Sequence, residues 1–386
     1  MTRTEFLQIC GAVGWGLPFQ NLFAHRSNYR SSTRRGNVVI IGAGAAGLTA
    51  GYILKQQGIS FKILEANTNY GGRMKVLDNF VDYPIGLGAE WIASGTLLFD
   101  RIANRQGISE QIATAGYTQD DEYGVWYNGK LVRGNLSTLT YRRFVNSSWF
   151  GFFEKFIVPE IAKDIQYQQV VQSVDYAGNK VLVKTSNTEF VADQVIVTVP
   201  IKILKEGKIH FNPALPKKKL EAINEAVVWD GLKAFIEFKE KFYPAFVDFV
   251  ITPATDGQVS YYDASFGQDS ERSVLGLFAV GEPAKRYGML NHNDVKNYIL
   301  AELDEIFSNQ ATPNYLQHIV QNWSKEPYIE GAYISDYTDV RVVRALQASV
   351  QDKVYFAGDC YTSGKDWGNV HNAVESAWSS IKEILD

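Results

Sequence analysis

The clearest pattern of apolar and polar positions lies near the front of the chain. Residues 38–41 (VVII) form an uninterrupted β-branched run, which is typical of a strand buried on both faces. A glycine-rich turn and an apolar helical stretch follow, and the stretch ends at Gly58, a residue that tolerates the positive φ of a helix end. Residues 61–64 (FKIL) predict a second strand, so the order is strand, turn, helix and strand.

The turn between the first strand and the helix has the spacing of a phosphate-binding loop. Gly42 allows a tight turn, Gly44 lets the main chain approach a pyrophosphate, and Gly47 lets the helix pack close to the strand. The free N–H groups at the helix start favour a negative phosphate. Glu65 lies 23 residues after Gly42, where a carboxylate accepts hydrogen bonds from the ribose hydroxyls of an adenosine.

A second pair of glycines, Gly71 and Gly72, is followed at once by Arg73. This element is similar to the Gly-Gly-Arg element of the glutathione-reductase-like FAD proteins, in which the arginine neutralises pyrophosphate charge. The resemblance implies FAD rather than a nicotinamide dinucleotide. We therefore expect an α/β fold, with a Rossmann-like FAD-binding domain of the FAD/NAD(P)-binding type and a second α+β substrate domain.

Beyond this unit the chain leaves and re-enters the same predicted domain. Helical spacing of apolar residues and a hairpin turning at Asn128-Gly129 predict an inserted cap, and later strands and a C-terminal helix return to the nucleotide-binding domain. The predicted division is an arm or signal-like segment at 1–36, a discontinuous FAD-binding domain at 37–96, 166–206 and 322–386, and a substrate-binding domain with a helical cap at 97–165 and 207–321.

Length and composition are those of a globular protein of two domains. The chain has 386 residues, 46% of them apolar, and a net charge of −4, so no nucleic-acid partner is expected. No apolar run reaches the ~18 residues that a membrane helix needs. Cys10 and Cys360 form no redox or metal motif, and the five histidines show no metal-ligand spacing, so we expect no metal site. Nothing in the sequence indicates the oligomeric state.

The N-terminal segment allows two interpretations. Arg3 followed by a weakly apolar, glycine-rich run to Phe23 has the form of a degenerate twin-arginine export signal, with one arginine in place of two. The alternative is an arm that packs on the body of the protein. The location is therefore either cytoplasmic or, after export, periplasmic.

A lysine lies in the middle of a later predicted strand. Strand alternation in residues 232–238 (LKAFIEF) puts Leu232, Ala234 and Ile236 on one face, and Lys233 and Phe235 on the other. From the pattern alone, Lys233 is a solvated strand lysine, because lysines are mostly exposed.

Together these motifs resemble the flavin-containing amine oxidase family, which includes monoamine oxidases, polyamine oxidases, L-amino acid oxidases and histone demethylases of that type. The resemblance runs from about residue 37 to residue 385. It is specific because five motifs occur in the family's order. They are the Gly42, Gly44, Gly47 and Glu65 unit; Gly72-Arg73; Gly88-Ala89-Glu90-Trp91; Trp323 with Gly331-Ala332-Tyr333; and Phe356-Ala357-Gly358-Asp359 with Val370-His371-Asn372-Ala373.

The resemblance implies roles for individual residues. Lys233 matches the family lysine that holds a water against flavin N5, so it and Tyr333 are the expected catalytic residues. Tyr333, Trp367 and Asn369 are the expected substrate contacts. The expected cofactor contacts are Gly42, Ala43, Gly44, Ala46, Gly47, Glu65, Ala66, Gly72, Arg73, Gly88, Ala89, Glu90, Trp91, Val171, Trp323, Gly358, Asp359, Asn369, Val370 and Ala373.

The chain departs from the family pattern at three positions. Ala332 stands where monoamine oxidases carry the cysteine that links the flavin, so we expect non-covalent FAD. Asn69 stands where members often carry an arginine, which leaves Arg73 as the expected pyrophosphate contact. Asn369 aligns with the second pocket tyrosine of the monoamine oxidases, so the two-tyrosine amine cage is expected to be broken, with Trp367 as a replacement wall.

The resemblance implies an FAD-dependent oxidase of primary or secondary amines. Hydride would pass from the substrate to flavin N5, the imine would hydrolyse, and dioxygen would reoxidise the flavin to give hydrogen peroxide. Two alternatives stay open at this stage. One is a flavin desaturase or dehydrogenase of C–C bonds with another electron acceptor, and the other is a non-catalytic flavin-binding protein.

Overall fold

A computed structural model describes residues 36–93, 95–136 and 141–386, so Cys10 and almost all of the expected N-terminal segment lie outside the described residues. The strands are, in order, β1 (Asn37–Ile41), β2 (Ser60–Leu64), β3 (Val76–Leu77), β4 (Ile85–Gly86), β5 (Trp91–Ile92), β6 (Thr114–Gly116), β7 (Glu122–Tyr127), β8 (Lys130–Asn135), β9 (Arg142–Phe144), β10 (Ile165–Gln166), β11 (Val171–Asp175), β12 (Val181–Thr185), β13 (Glu189–Ala192), β14 (Gln194–Val197), β15 (His210–Asn212), β16 (Gly231–Phe238), β17 (Phe246–Phe249), β18 (Gly257–Asp263), β19 (Ser273–Gly281), β20 (Tyr315–Asn322) and β21 (Val354–Phe356). The helices are α1 (Ala45–Gln56), α2 (Leu98–Ile102), α3 (Trp149–Phe156), α4 (Val158–Ile161), α5 (Ile201–Lys205), α6 (Lys217–Glu225), α7 (Glu282–Gly288), α8 (His292–Ile306), α9 (Ala311–Asn314), α10 (Val340–Gln347) and α11 (Val370–Leu385).

A five-stranded parallel sheet in the order β10-β2-β1-β14-β21 carries the glycine-rich turn. Its central strand β1 lies between β2 and β14, with Val38 opposite both Phe61 and Gln194. A central parallel strand with a following helix on its face is the arrangement of a Rossmann-like domain. The predicted fold class is confirmed.

Both faces of the parallel sheet are covered, as the β-branched run in β1 predicts. Val38 and Ile40 point into a core with the apolar faces of α1 and α11, and Val39 and Ile41 point into a second core on the opposite face. The antiparallel strands β11, β12 and β13, which pair with one another and extend to β15, contribute to the second core. Because the side chains of β1 are buried in apolar cores on both faces of the sheet, the strand and the turn that follows it are held rigidly.

The helical part of the predicted cap lies in two places: α3 and α4 pack on the core that contains α1, whereas Leu98 and Ile102 of α2 line a cavity. Large rings of α3, among them Trp149, Phe152 and Phe153, lie in the core that contains α1, and α4 packs on α1 directly. The reason is that the periodic pattern of α3 requires a buried face but does not specify the surface that buries it. The hairpin of the same segment instead extends the large sheet described next, so the division of the chain into domains stays a prediction.

A seven-stranded sheet in the order β20-β16-β19-β18-β17-β7-β8 forms the second half of the molecule. The hairpin β7–β8 turns at Asn128 and Gly129, both at positive φ, as its sequence predicts. One face of β16 packs through Leu232, Ala234 and Ile236 into a core with α8. The alternation predicted for this strand is therefore present, and Lys233 lies on the face opposite that core.

Candidate active site

The glycine turn after β1 is shaped by contacts that only glycine permits. A Cβ on Gly47 would lie 1.9 Å from the carbonyl oxygen of Gly42, so α1 could not pack this closely on the strand with any other residue there. Gly44 has nothing within 4 Å of a Cβ position, and it precedes α1 without a side-chain cap. The helix N-terminus therefore presents main-chain N–H groups to open space, which suits a phosphate.

Glu65 lies beside this turn at the end of β2. Its carboxylate accepts hydrogen bonds from the N–H of Ala43 at 2.7 Å and from the N–H of Asn67 at 2.9 Å. Burial raises the pKa of Glu65, and these main-chain donors oppose that rise. The side chain is thus fixed with its carboxylate against the turn, at the position expected for a ribose contact.

The second glycine pair docks on the first turn. The N–H of Gly71 donates to the carbonyl of Ala43 at 2.9 Å, and a Cβ on Gly72 would lie 3.4 Å from the Cα of Gly44. The Arg73 side chain extends toward the loop after β21, where its Nη1 donates to Oδ2 of Asp359 at 3.0 Å. In this geometry the arginine that was expected at the pyrophosphate forms an ion pair with Asp359, another of the expected cofactor contacts.

The C-terminal helix α11 begins at the same cavity. Asn369 caps it, since the amides of Asn369 and Asn372 each accept from the other's main-chain N–H. This cap uses the side chain that was expected to contact substrate. The start of the helix, at Val370, therefore faces the cavity with a defined orientation.

One cavity of about 2130 Å³ connects these elements with the seven-stranded sheet. Its volume exceeds the roughly 300–1,000 Å³ of an ordinary small-molecule pocket, so it has room for a dinucleotide and a substrate together. Of the predicted site residues, Ala43 and Gly47 do not line it, because they support the turn from behind. The others do line it: Gly42, Gly44, Ala46, Glu65, Ala66, Gly72, Arg73, Gly88, Ala89, Glu90, Trp91, Val171, Lys233, Trp323, Tyr333, Gly358, Asp359, Trp367, Asn369, Val370 and Ala373.

The far end of the cavity is lined by aromatic rings. Trp323 is fixed by its Nε1, which donates to the carbonyl of Leu87 at 2.9 Å, and Tyr333 lies edge-on to Trp229 with ring centroids 5.8 Å apart. Among the described residues, Trp367 has a buried Nε1 with no hydrogen-bond partner. A donor without a partner, in a large cavity that begins at a helix N-terminus, fits a polar ring system such as a flavin or its substrate.

A buried group of charges forms part of the cavity wall. Lys233 is only 4% exposed, and its Nζ donates to Oε2 of Glu90 and lies 4.9 Å from the ring centroid of Trp91. Burial lowers the pKa of Lys233, and the Glu90 carboxylate opposes that effect. Lys233 is therefore not the solvated lysine that its strand pattern alone suggests.

An acidic patch lies on the side of the cavity near Tyr333. Asp336 accepts a hydrogen bond from Nε2 of Gln258 at 3.3 Å, and burial together with the neighbouring carboxylate of Asp366 raises the pKa of Asp336 to about 6. Asp366 is exposed and accepts from Nε2 of His371 at 2.9 Å if that nitrogen carries the proton. Both acids line the cavity.

Sequence reasoning missed Arg143, Tyr262 and Asp336. Arg143 and Tyr262 both donate to Glu90, from positions 53 and 172 residues away. The one available signal was Glu90 itself, a charge within the apolar run 85–92, because a buried carboxylate requires partners. In the described part of the chain, no group of histidine, cysteine or acidic residues has the geometry of a metal site, and no helix is long and apolar enough to span a membrane.

Comparison with solved structures establishes the class of fold. The chain superposes on cyclohexylamine oxidase from Brevibacterium oxydans IH-35A with a TM-score of 0.76, over 91% of this chain and 98% of that one, at 14% sequence identity. A putrescine oxidase variant matches with a TM-score of 0.75 over the same shares of the two chains. The chain has the fold of these two proteins, which includes a Rossmann-like domain, and residues 40–102 match the model of NAD(P)-binding Rossmann-like domains.

Sequence comparison identifies the family. The model of flavin-containing amine oxidoreductases matches residues 156–385, and the chain belongs to this family. The Mus musculus lysine-specific histone demethylase 1B is 25% identical over 410 residues, which cover 84% of this chain and 50% of that protein. Polyamine oxidase 2 of Arabidopsis thaliana is 24% identical over 441 residues, 92% of this chain and 89% of the relative. The chain thus spans half the length of the demethylase.

Proposed function

We propose that this chain is an FAD-dependent oxidase of small amines. The observation that carries the proposal is a continuous cavity that begins at the glycine turn and ends among Lys233, Trp323 and Tyr333. A dinucleotide held at the turn would have its ring at the aromatic end, beside the remaining space for a substrate. The family match and the similarity to a polyamine oxidase support the same reaction class.

The chain's own residues would bind and orient the reactants. Main-chain N–H groups at the start of α1 would hold the pyrophosphate, and Glu65 would accept from the adenosine ribose. The chemistry that FAD supplies when bound is hydride acceptance from the amine α-carbon and reoxidation by dioxygen to give hydrogen peroxide. Trp323 and Tyr333 would exclude water from the reacting face, and Lys233 would place a positive charge and an ordered water beside it.

We further propose that FAD is held without a covalent bond. Ala332 offers no nucleophile, and no cysteine lines the cavity in the described part of the chain. Cys360 is buried outside the cavity, and burial raises the pKa of its thiol, so it stays protonated. Precipitation with acid should leave a yellow supernatant and a colourless pellet, and a yellow pellet would contradict this assignment.

We propose that the preferred substrate carries a second positive charge. Asp336 lines the cavity on the side of Tyr333, and the carboxylate of Asp366 lies near it at the rim. An ammonium group distant from the reacting carbon would form an ion pair with these acids, whereas a monoamine would offer them no second positive charge.

The proposal is tested with an amine panel on the FAD-loaded protein. Putrescine, spermidine, cyclohexylamine and n-butylamine are added without oxygen, and bleaching of the flavin absorbance is recorded; peroxide release is then measured in air. We expect bleaching and peroxide with at least the diamine, at a higher kcat/KM than with n-butylamine. If no amine bleaches the flavin, the oxidase assignment is wrong, and bleaching with dye reduction but no peroxide would indicate a dehydrogenase.

The charge preference has its own variant. Asp336→Asn should lower kcat/KM for putrescine about tenfold and leave that for n-butylamine unchanged, because one distant ion pair of this kind contributes roughly 1–2 kcal/mol. Glu225→Gln, an exposed change away from the cavity, serves as the control. An equal loss for both amines would contradict the role given to Asp336.

A further inference from the structure

Glu90 is the centre of a buried network that joins four separate elements. Its carboxylate accepts from Nη2 of Arg143 at 2.9 Å, from Nζ of Lys233 and from the hydroxyl of Tyr262. Arg143 lies on β9, Lys233 on β16 and Tyr262 on β18, while Glu90 immediately precedes β5. All four side chains are nine-tenths or more buried, so water does not screen these interactions.

The network has an inner and an outer side relative to the cavity. Glu90 and Lys233 line the cavity, whereas Arg143 does not. Arg143 is fixed from behind, since its Nη1 also donates to the carbonyl of Asp263 at 2.5 Å and β9 pairs with β5 at Trp91. The cation that reaches the cavity is therefore Lys233, and the cation that holds the carboxylate in place is Arg143.

We propose that Glu90 is a positioning residue for Lys233: held by Arg143 and Tyr262, its carboxylate orients the lysine amine at the cavity wall and sets how much of it is protonated. This inference rests on the proposed flavin chemistry and reassigns Glu90, expected from the sequence to contact the cofactor. Arg143 then influences the site only through Glu90 and through its own charge.

The charged groups around Lys233 predict that different variants shift the pKa of Lys233 in opposite directions. Glu90 raises the pKa of Lys233, while burial and the positive charge of Arg143 lower it. Tyr262 faces the same carboxylate, and burial raises the pKa of its hydroxyl well above the normal range, so it stays neutral. Tyr117 and Asp263 face Arg143 rather than the lysine. Removing Glu90 and removing Arg143 must therefore shift the protonation of Lys233 in opposite directions.

The test follows the pH dependence of flavin reoxidation. FAD-loaded protein is reduced by light without any amine, mixed with oxygenated buffer, and followed by absorbance between pH 5 and pH 10. We expect one pH-dependent step, which Lys233→Met abolishes. Glu90→Gln should move its midpoint down by about one to two pH units, and Arg143→Gln should move it up by a similar amount. Midpoints that do not move, or that move in the same direction, overturn the inference.

Two further variants separate positioning from general damage. Arg143→Lys keeps the charge and should leave the midpoint near that of the wild type, which also covers the case in which Arg143→Gln fails to fold. Glu237→Gln removes a different buried carboxylate on β16, one that pairs with Arg272 at 3.0 Å and does not line the cavity. This control should change stability without moving the midpoint, and a shift equal to that of Glu90→Gln would contradict a specific role for Glu90.

A second readout needs no cofactor reaction. Because the pKa of Lys233 is lower in the native protein than in the unfolded chain, the free energy of unfolding should rise with pH from the native pKa up to about 10.5. Glu90→Gln should start this rise at lower pH, Arg143→Gln should start it at higher pH, and Lys233→Met should remove it. Since neither experiment uses an amine, a failed substrate panel and a failed positioning role are distinguishable.

Discussion

The two ends of the cavity are built in different ways. At the turn after β1 the surface is main chain, and its shape depends on glycines whose missing side chains allow contacts as short as the one between Gly47 and Gly42. The aromatic end of the cavity, beside Trp323 and Tyr333, is called the ring end below. Its surface consists of side chains from segments far apart in sequence, with Glu90 and Lys233 at its centre.

This difference separates two kinds of tolerance to change. The turn is formed by about thirty consecutive residues. Its hydrogen-bond donors are main-chain N–H groups, so a change of side chain does not replace them with another chemical group. The ring end can be altered one side chain at a time, so we expect each alteration to act by changing a charge or a volume. The turn should therefore govern folding and cofactor capture, and the ring end should govern rate and specificity.

The largest expected effect sharpens the description of the turn. Gly47→Ala should yield no stably folded protein, with a loss of about 4 kcal/mol or more, because its Cβ would lie 1.9 Å from the Gly42 oxygen. Gly44→Ala should fold normally, since φ is −79° and its Cβ meets nothing, but it should weaken FAD binding about 100-fold by blocking the phosphates. Urea unfolding and FAD titration measure the two effects, and full FAD affinity in Gly44→Ala would break this half of the comparison.

A smaller effect is expected at the ring end. Lys233→Met should slow reoxidation of the reduced flavin by dioxygen about tenfold or more, a barrier increase of roughly 1.4 kcal/mol, while FAD stays bound. The reason is the loss of the positive charge beside the reacting face. Stopped-flow absorbance measures the rate, and Lys239→Met, an exposed lysine that follows the same strand, is the control. A wild-type rate in Lys233→Met would remove Lys233 from the site.

The last effect concerns stability at the acidic patch. The native pKa of Asp336 is about 6 against 3.8 for the ordinary group, so this carboxylate destabilises the native state progressively as pH rises from about 4 to 6. Asp336→Asn should therefore be more stable than the wild type by up to about 3 kcal/mol at pH 7.5, with the difference falling to about 1 kcal/mol near pH 4.5 and disappearing near pH 3. Urea unfolding at a series of pH values gives the measurement. A variant that is less stable at pH 7.5 would show that the carboxylate is well paired.

The sequence predicted the turn well because its physical requirements are local. Strand β1, the glycines and Glu65 fall within one short segment, and the residues around them follow general rules for strands and helix ends. Asn128 and Gly129 were found for the same reason, since a tight hairpin requires positive φ at neighbouring positions.

The ring end could not be predicted in the same way because its contacts are distant in sequence. Arg143 and Tyr262 meet at Glu90 only after two sheets have packed together, and no spacing in the sequence marks the three residues as partners. The packing position of α3 could not be predicted for a related reason. An apolar stripe on a helix indicates that this face is buried, but not which surface of the protein covers it. Lys233 was predicted as a catalytic residue from the family resemblance, because its strand pattern alone indicates a solvated lysine.

The ion pair between Arg73 and Asp359 limits when this part of the site can be completed during synthesis of the chain. Arg73 leaves the ribosome 286 residues before the acid that it contacts, and β21 and α11 lie on either side of that acid in the sequence. The growing polypeptide must therefore keep its nucleotide loop without this ion pair while those residues are translated. A chain that stops before Asp359 would contain the glycine turn and lack the carboxylate that Arg73 contacts.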